Sequence, residues 1–181
     1  MTRKSKYKKL VGRPVVVDAN VLFDLMELNS LYLLNDVFGQ VLIPQATIAI
    51  ELDNETRECL NNIEHVAEVI TSAKGYEVYA LCHKRKVLSH CDKMAIAIAA
   101  ENSFILCTNE GPARRQGAVL KLEITGTLGI LAAAYESGII DQIKVIQLYK
   151  YLDQEGSCYI SQDLLYEVLS DLGISIEEFQ E

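Results

Sequence analysis

A chain of 181 residues is about the size of one domain, and with half its residues hydrophobic and 23% charged it is not a disordered polypeptide. No run of about 18 apolar residues occurs, so nothing in it can span a bilayer as a helix. The net charge of −8 hides an asymmetry: residues 1–13 carry six basic residues and no acid, which leaves 11 basic against 25 acidic residues over the rest. A body that acidic repels phosphate over its surface as a whole, so contact with RNA or DNA must run through local basic patches or bound cations.

In chain order, the basic tail MTRKSKYKKLVGR is followed by no apolar stretch long enough for a signal peptide. Val15-Val16-Val17, β-branched and apolar, reads as a buried strand of a parallel sheet that ends at Asp18. Residues 20–35 place Val21, Leu22, Leu25, Leu28 and Leu31 at helical spacing. Val41-Leu42-Ile43 is a second strand, stopped by Pro44, and a helix carrying Ile48, Glu51 and Leu52 follows. Residues 66–70 fit strand or helix. Residues 76–86 look helical, with Tyr76, Tyr79, Ala80 and His83 on one side. Ser89-His90-Cys91-Asp92 opens an alanine-rich helix to about Ala100. A third strand runs from Phe104 to Cys107 and closes at Thr108-Asn109-Glu110. A fourth is expected around Leu122-Glu123-Ile124, before Thr125-Gly126-Thr127 and a helix through Tyr135. Helices at about 141–152 and 161–171 complete the pattern. Alternating strands and helices predict an α/β domain with a central parallel sheet covered on both faces.

In open α/β sheets the site lies outside the carboxyl ends of the strands. Asp18, with Asn20 two residues on, ends the first strand, and Asn109 and Glu110 end the third. Asp92 opens the helix leading into the third strand, and Glu51 lies in the helix after the second. Carboxylates a few ångströms apart repel unless a cation neutralises them. Oxygen donors with no His or Cys partner in the set suit Mg²⁺ or Mn²⁺ and disfavour zinc. Each position also has a plainer reading. Asp92, three residues after Ser89, fits a helix capping box; Glu51 fits an exposed helix residue with Asp53 and Glu55 as rivals; Glu110 fits a loop. Asp18 is the hardest to dismiss, because a carboxylate at a buried sheet edge needs a partner.

His65, His83 and His90 share no motif with a nucleophile, and no GxSxG, GxxxxGK[ST] or GxGxxG pattern occurs. Thr125-Gly126-Thr127-Leu128-Gly129 is a weak match to a phosphate-cradling turn. The five cysteines (Cys59, Cys82, Cys91, Cys107, Cys158) are widely spaced with no CxxC pair, which reads as buried thiols of a reducing, cytoplasmic setting. The basic patches are the N-terminal run, His83-Lys84-Arg85-Lys86 and Arg114-Arg115, each of which also fits a solvated face or tail.

These segments resemble a known family. Val15 to Leu22 resembles the opening strand of PIN domains, whose Asp and nearby Asn belong to a metal site. Val41 to Gln45 followed by Ile50-Glu51-Leu52 looks like the second motif, Leu88 to Asp92 the third, and Leu106 to Glu110 the fourth. Arg114-Arg115 through Gly129, and the helical stretch after it, is similar to a prokaryotic subgroup related to VapC-type toxin ribonucleases. The resemblance covers about residues 14–173. It implies a three-layer α/β/α sandwich with added C-terminal helices, read as a basic tail (1–13), a nuclease domain (14–140) and a helical extension packed on the same domain (141–181). It also implies Mg²⁺- or Mn²⁺-dependent cleavage of RNA, a protein antitoxin as partner, and a homodimer. Asp18 and Asp92 would ligate metal, Glu51 would bind it or position water, and Asn20, Thr108, Arg114 and Arg115 would contact substrate. The fourth motif departs from the family: Asn109-Glu110 stands where an Asp is expected. Three alternatives follow: Glu110 substitutes with a longer arm, Asn109 acts as a neutral ligand, or the site is degenerate. A metal-dependent endoribonuclease, a catalytically weak binding or regulatory module, and a nuclease for structured DNA are the three readings left open.

Overall fold

The computed structural model describes residues 5–156 and 160–180. Five strands, β1 (Pro14–Val17), β2 (Gln40–Pro44), β3 (Val66–Glu68), β4 (Ile105–Cys107) and β5 (Ile124–Thr125), form one sheet in the order β3-β2-β1-β4-β5. Every neighbouring pair is parallel, with Val16 beside both Leu42 and Leu106. The expected central parallel sheet is present, and the segment that fitted either class, 66–70, supplies the edge strand β3.

Side chains alternate across a strand, so each strand feeds two cores. Val15, Val17, Val41, Ile43, Ile105 and Cys107 face a core shared with α1 (Ala19–Glu27), α2 (Leu33–Val37), α8 (Thr127–Glu136), α9 (Gln142–Gln154) and α10 (Gln162–Leu172). Val16, Leu42 and Leu106 face a second core under α5 (Ala73–His83), α6 (His90–Asn102) and α7 (Gly111–Val119). The result is the three-layer α/β/α sandwich. In α6, Ala95 to Ala100 are buried all round, because the helix lies between the sheet and α5 and its alanines permit close approach. No helix among the described residues is long and apolar enough to cross a membrane.

Three local departures have physical causes. The apolar stripe of 20–35 is not one helix: α1 ends at Glu27 and Asn29 takes a left-handed conformation (φ 50°), so Leu28 and Leu31 reach the core from a turn. Helix α7 occupies a segment to which the sequence pattern assigns no element. Its Gly-Pro start is tolerated, since Pro112 sits in the first turn where no donor is needed. Gly117 lets it lie close on the sheet, a Cβ there meeting Ile124 and Leu106 at 3.0 and 3.1 Å. Two more short helices, α4 (Asn54–Cys59) and α11 (Ile176–Gln180), lack any long apolar period. The helix after β2, α3, spans Gln45–Ile50, and Glu51 is its C-cap. Cys82, Cys91 and Cys107 are buried free thiols and Cys59 is half-buried, whereas Cys158 lies outside the described residues.

Residues 5–13 are docked on the body. The Glu136 carboxylate accepts from the backbone N–H of Tyr7 and of Lys8, both at 2.8 Å, and from Ser5 Oγ at 2.6 Å. Lys6 Nζ pairs with Asp171 at 2.6 Å, Tyr7 Oη donates to the same carboxylate, and Lys9 and Arg13 both pair with Glu123. Much of this basic run is thereby neutralised by the chain's own acids. Replacing Glu136→Ala removes the acceptor for three backbone donors, those of Lys6, Tyr7 and Lys8, at a cost of about 1–3 kcal/mol. The expected readout is faster tryptic cleavage after Lys6 and Lys8 together with a lower melting temperature; an unchanged cleavage rate would show that the docking does not depend on Glu136.

Candidate metal centre at the sheet edge

The strand order reverses direction between β1 and β4, and a crevice opens at their carboxyl ends, the place where α/β sheets bind ligands. Asp18 stands there. It follows β1, its N–H still bonded to Cys107 O across the strand gap at 3.0 Å, and it caps α1. Its Oδ1 accepts from Ala19 N and its Oδ2 from Thr108 Oγ1 at 2.9 Å, so a side chain after β4 holds the one after β1. The residue is only 3% exposed. Burial, joined by the nearby Asp92 and Glu51 carboxylates, raises the Asp18 carboxyl to about 7 against the opposing hydrogen bond from Thr108.

Asp92 is the acidic member of a capping box: its Oδ2 accepts from Ser89 N at 2.7 Å and Ser89 Oγ accepts from Asp92 N at 2.9 Å. The capping role and the site role coexist, because no hydrogen bond from the described residues engages Oδ1 and the carboxylate acts on both Asp18 and Glu51. Glu51 enters from the end of α3. Burial raises its carboxyl, the Cys91 thiol donates to it and opposes the rise, and Asp92 and Glu110 add to it. Glu110 is exposed at the start of α7; its Oε1 accepts from Asn20 Nδ2 and its N–H donates to Thr108 Oγ1 at 3.1 Å. Asp18, Glu51, Asp92 and Glu110 thus share one electrostatic neighbourhood, with Asn20 and Thr108 as polar supports.

Asn109 points elsewhere. Its Nδ2 donates to Asp24 Oδ2 at 2.7 Å and to Thr127 Oγ1 at 2.8 Å, and its Oδ1 accepts from Thr127 N at 3.1 Å. Gly126 makes room for this, since a Cβ there would stand 2.4 Å from Asn109 Oδ1. Arg114 donates to the carbonyls of Thr108 and Thr125, tying the ends of β4 and β5 together, while Arg115 is exposed on α7. On the far side of Asn109 a cavity of about 480 Å³ is lined in part by Asp24, Arg114, Thr127, Tyr7 and Leu164.

Asp24 and Cys91 are polar elements of this edge that sequence reasoning missed. Asp24 was visible as a carboxylate on the buried stripe of α1, three residues after Val21 and one before Leu25. Cys91 carried no signal beyond its place beside Asp92.

Among the described residues no three His, Cys, Asp or Glu side chains stand in a ligating arrangement. The chemistry of the acids nonetheless fits a hard divalent cation: the donors are carboxylate oxygens, and the burial that holds Asp18 protonated near neutrality is relieved by a positive charge beside it.

Comparison with curated proteins and with solved structures gives no significant match. A family model described as a PIN domain matches residues 14–174, from the first residue of β1 to just past α10. All five parallel strands and the whole acidic crevice fall inside that span, and the chain belongs to the PIN-domain family, whose members are generally nucleases.

Proposed function

We propose that this chain is an endoribonuclease that hydrolyses RNA phosphodiester bonds with Mg²⁺ or Mn²⁺, and that it serves as the toxin of a toxin–antitoxin pair, as the VapC-related proteins it resembles do. The observation that carries this reading is the Asp18 carboxyl, buried at the switch point of the sheet against Asp92 and Glu51. A bound Mg²⁺ or Mn²⁺ supplies charge neutralisation and Lewis-acid polarisation of the phosphodiester. Asp18 and Asp92 are the residues that would hold it. Glu51, with its carboxyl raised by burial, is suited to take a proton from the attacking water. Glu110, tethered by Asn20, guards the open side of the crevice. Thr108 fixes the Asp18 carboxylate and thereby orients its oxygens. A cytoplasmic setting, an antitoxin and a homodimer belong to the same proposal.

A second reading, a binding or regulatory module with little catalysis, is favoured by one observation: Asn109 is engaged with Asp24 and Thr127, which leaves the fourth corner to an exposed Glu110. RNA binding without cleavage in Mn²⁺ would select it. Preferential cleavage of structured DNA would select a DNA nuclease instead.

The direct test is cleavage of a labelled RNA by the purified chain with Mn²⁺. Cleavage is expected to fall about a hundredfold or more in Asp18→Asn and in Asp92→Asn, as loss of a metal-holding group does. Equal activity in native and variant chains would overturn the assignment. Expression of the native chain is expected to arrest host growth and the Asp18→Asn chain to leave it unaffected; growth equal in both would sink the toxin role.

A second test reads stability. The Asp18 carboxyl titrates near 7 in the folded chain against 3.8 for its ordinary value, so the folded state binds that proton more tightly. Its contribution is fully present below about pH 4 and is lost as pH rises through 7, a swing on the order of 4 kcal/mol. In metal-free buffer at pH 8, Asp18→Asn is therefore expected to melt higher than the native chain. Mn²⁺ should raise the native melting temperature more at pH 8 than at pH 5. Identical melting of both chains at pH 8 without metal would refute this account of Asp18.

A further inference from the structure

The acidic body of the molecule repels a polyanion, and within the described residues 5–13 of the N-terminal basic run Lys6, Lys9 and Arg13 are paired with Asp171, Glu167 and Glu123. Of the two other basic patches, the shorter has its Arg114 taken up by the Thr108 and Thr125 carbonyls, and the longer has no ion-pair partner among the described residues. His83, Lys84, Arg85 and Lys86, at the end of α5 and in the turn to α6, are all exposed, and none forms an ion pair with a described residue. Helix α5 itself contributes Lys74 and a single acid, Glu77.

The turn is mechanically joined to the acidic crevice. Lys84 N, Arg85 N and Leu88 N bond back to Leu81, Cys82 and Arg85 carbonyls, so the segment is a run of tight turns that delivers Ser89 to cap α6. Three residues after that cap stands Asp92. His90 shares a 2.9 Å hydrogen bond through its Nδ1 with Tyr79 Oη of α5, and the two rings meet edge-on at 5.8 Å. The Tyr79 ring also lies 6.1 Å from that of His83.

Tyr76, Tyr79 and His83 recur at spacings of three and four, which puts them on one side of α5. Tyr76 is 61% exposed, a large ring left in solvent, and Tyr79 is half-buried with its hydroxyl fixed. Aromatic faces interleaved with cations are how proteins track a single strand of nucleic acid: the rings stack on unpaired bases and the cations meet the phosphates. A paired duplex keeps its bases from such rings.

We propose that the α5 face of Tyr76, Tyr79 and His83, with the Lys84-Arg85-Lys86 turn, is the docking track that leads a single-stranded nucleic acid to the acidic crevice. This rests on the nuclease reading for its destination, though the track itself does not depend on catalysis. The cations take phosphates on the approach side of Asp92, and Tyr76 takes a base about two helical turns further out. The acidic crevice then receives the strand at the point where a divalent cation offsets its charge.

The experiment measures binding of the full chain, as the Asp18→Asn variant in Mg²⁺, to a fluorescent 12-nucleotide single-stranded RNA and to a hairpin duplex, as a function of salt. In Lys84→Gln/Arg85→Gln/Lys86→Gln the slope of log affinity against log salt is expected to shrink by about 2, because single strands release about 0.7 counterion per neutralised phosphate. In Tyr76→Ala single-strand affinity is expected to fall about fivefold or more with the slope unchanged, and duplex affinity to hold. All four positions are exposed, and matching circular dichroism and melting temperature confirm folded variants. An unchanged slope in the triple variant, or equal losses for single strand and duplex in Tyr76→Ala, overturns the track, whether or not the native chain cleaves RNA. If both shifts appear while the native chain cleaves nothing, the track stands and the nuclease reading falls.

Discussion

The hydrogen bond from Thr108 to Asp18 joins the two strands between which the sheet changes direction, and much of the site follows from it. A parallel sheet with both faces covered has nowhere to expose a polar group except at its strand ends, and the reversal of order between β1 and β4 opens the one wide gap there. Asp18 occupies that gap with too little water to ionise readily. Three of the four acids in the crevice also stand at helix N-termini: Asp18 caps α1, Asp92 lies in the first turn of α6, and Glu110 precedes α7. The partial positive charge of those ends offsets some of the repulsion that gathering the acids creates.

The tripeptide Thr108-Asn109-Glu110 sorts polar chemistry into two compartments by the alternation of an extended chain. Thr108 and Glu110 turn to Asp18 and Asn20, and Asn109 turns to Asp24 and Thr127. The amide therefore fastens the start of α8 to α1, and Gly126 is the residue that makes space for it. A single residue at position 109 serves cohesion between the strand end and two helices of one layer, whereas its two neighbours serve the crevice.

What was legible in the sequence was whatever has a period or a fixed offset. The runs Val15-Val16-Val17 and Val41-Leu42-Ile43 announce doubly covered strands because every position is apolar, and Ser89 with Asp92 announces a helix start because the cap has a set spacing. Asp18 and Asp92 stood out as candidate site residues for the same reason, each sitting at a boundary the pattern defines. Helix α7 was not legible: its glycines and proline look like a turn, and only packing against Leu106 and Ile124 gives Gly117 its purpose. Nor was the direction in which Asn109 points, which depends on the distant Asp24 and Thr127. Contacts between residues far apart in sequence leave no local trace.

The anchoring of residues 5–8 has a consequence for the order in which the molecule assembles. Their partners, Glu136 and Asp171, lie 128 and more residues further along the chain. On a ribosome, this cationic stretch is therefore made long before the carboxylates that quench it, and closing so long a loop is slow compared with forming the β1–β2 pair. Through that interval the nascent chain carries an uncompensated cluster of positive charge, in the polyanionic surroundings of the translating ribosome. Completion of α8 and α10 supplies the carboxylates that pair with it.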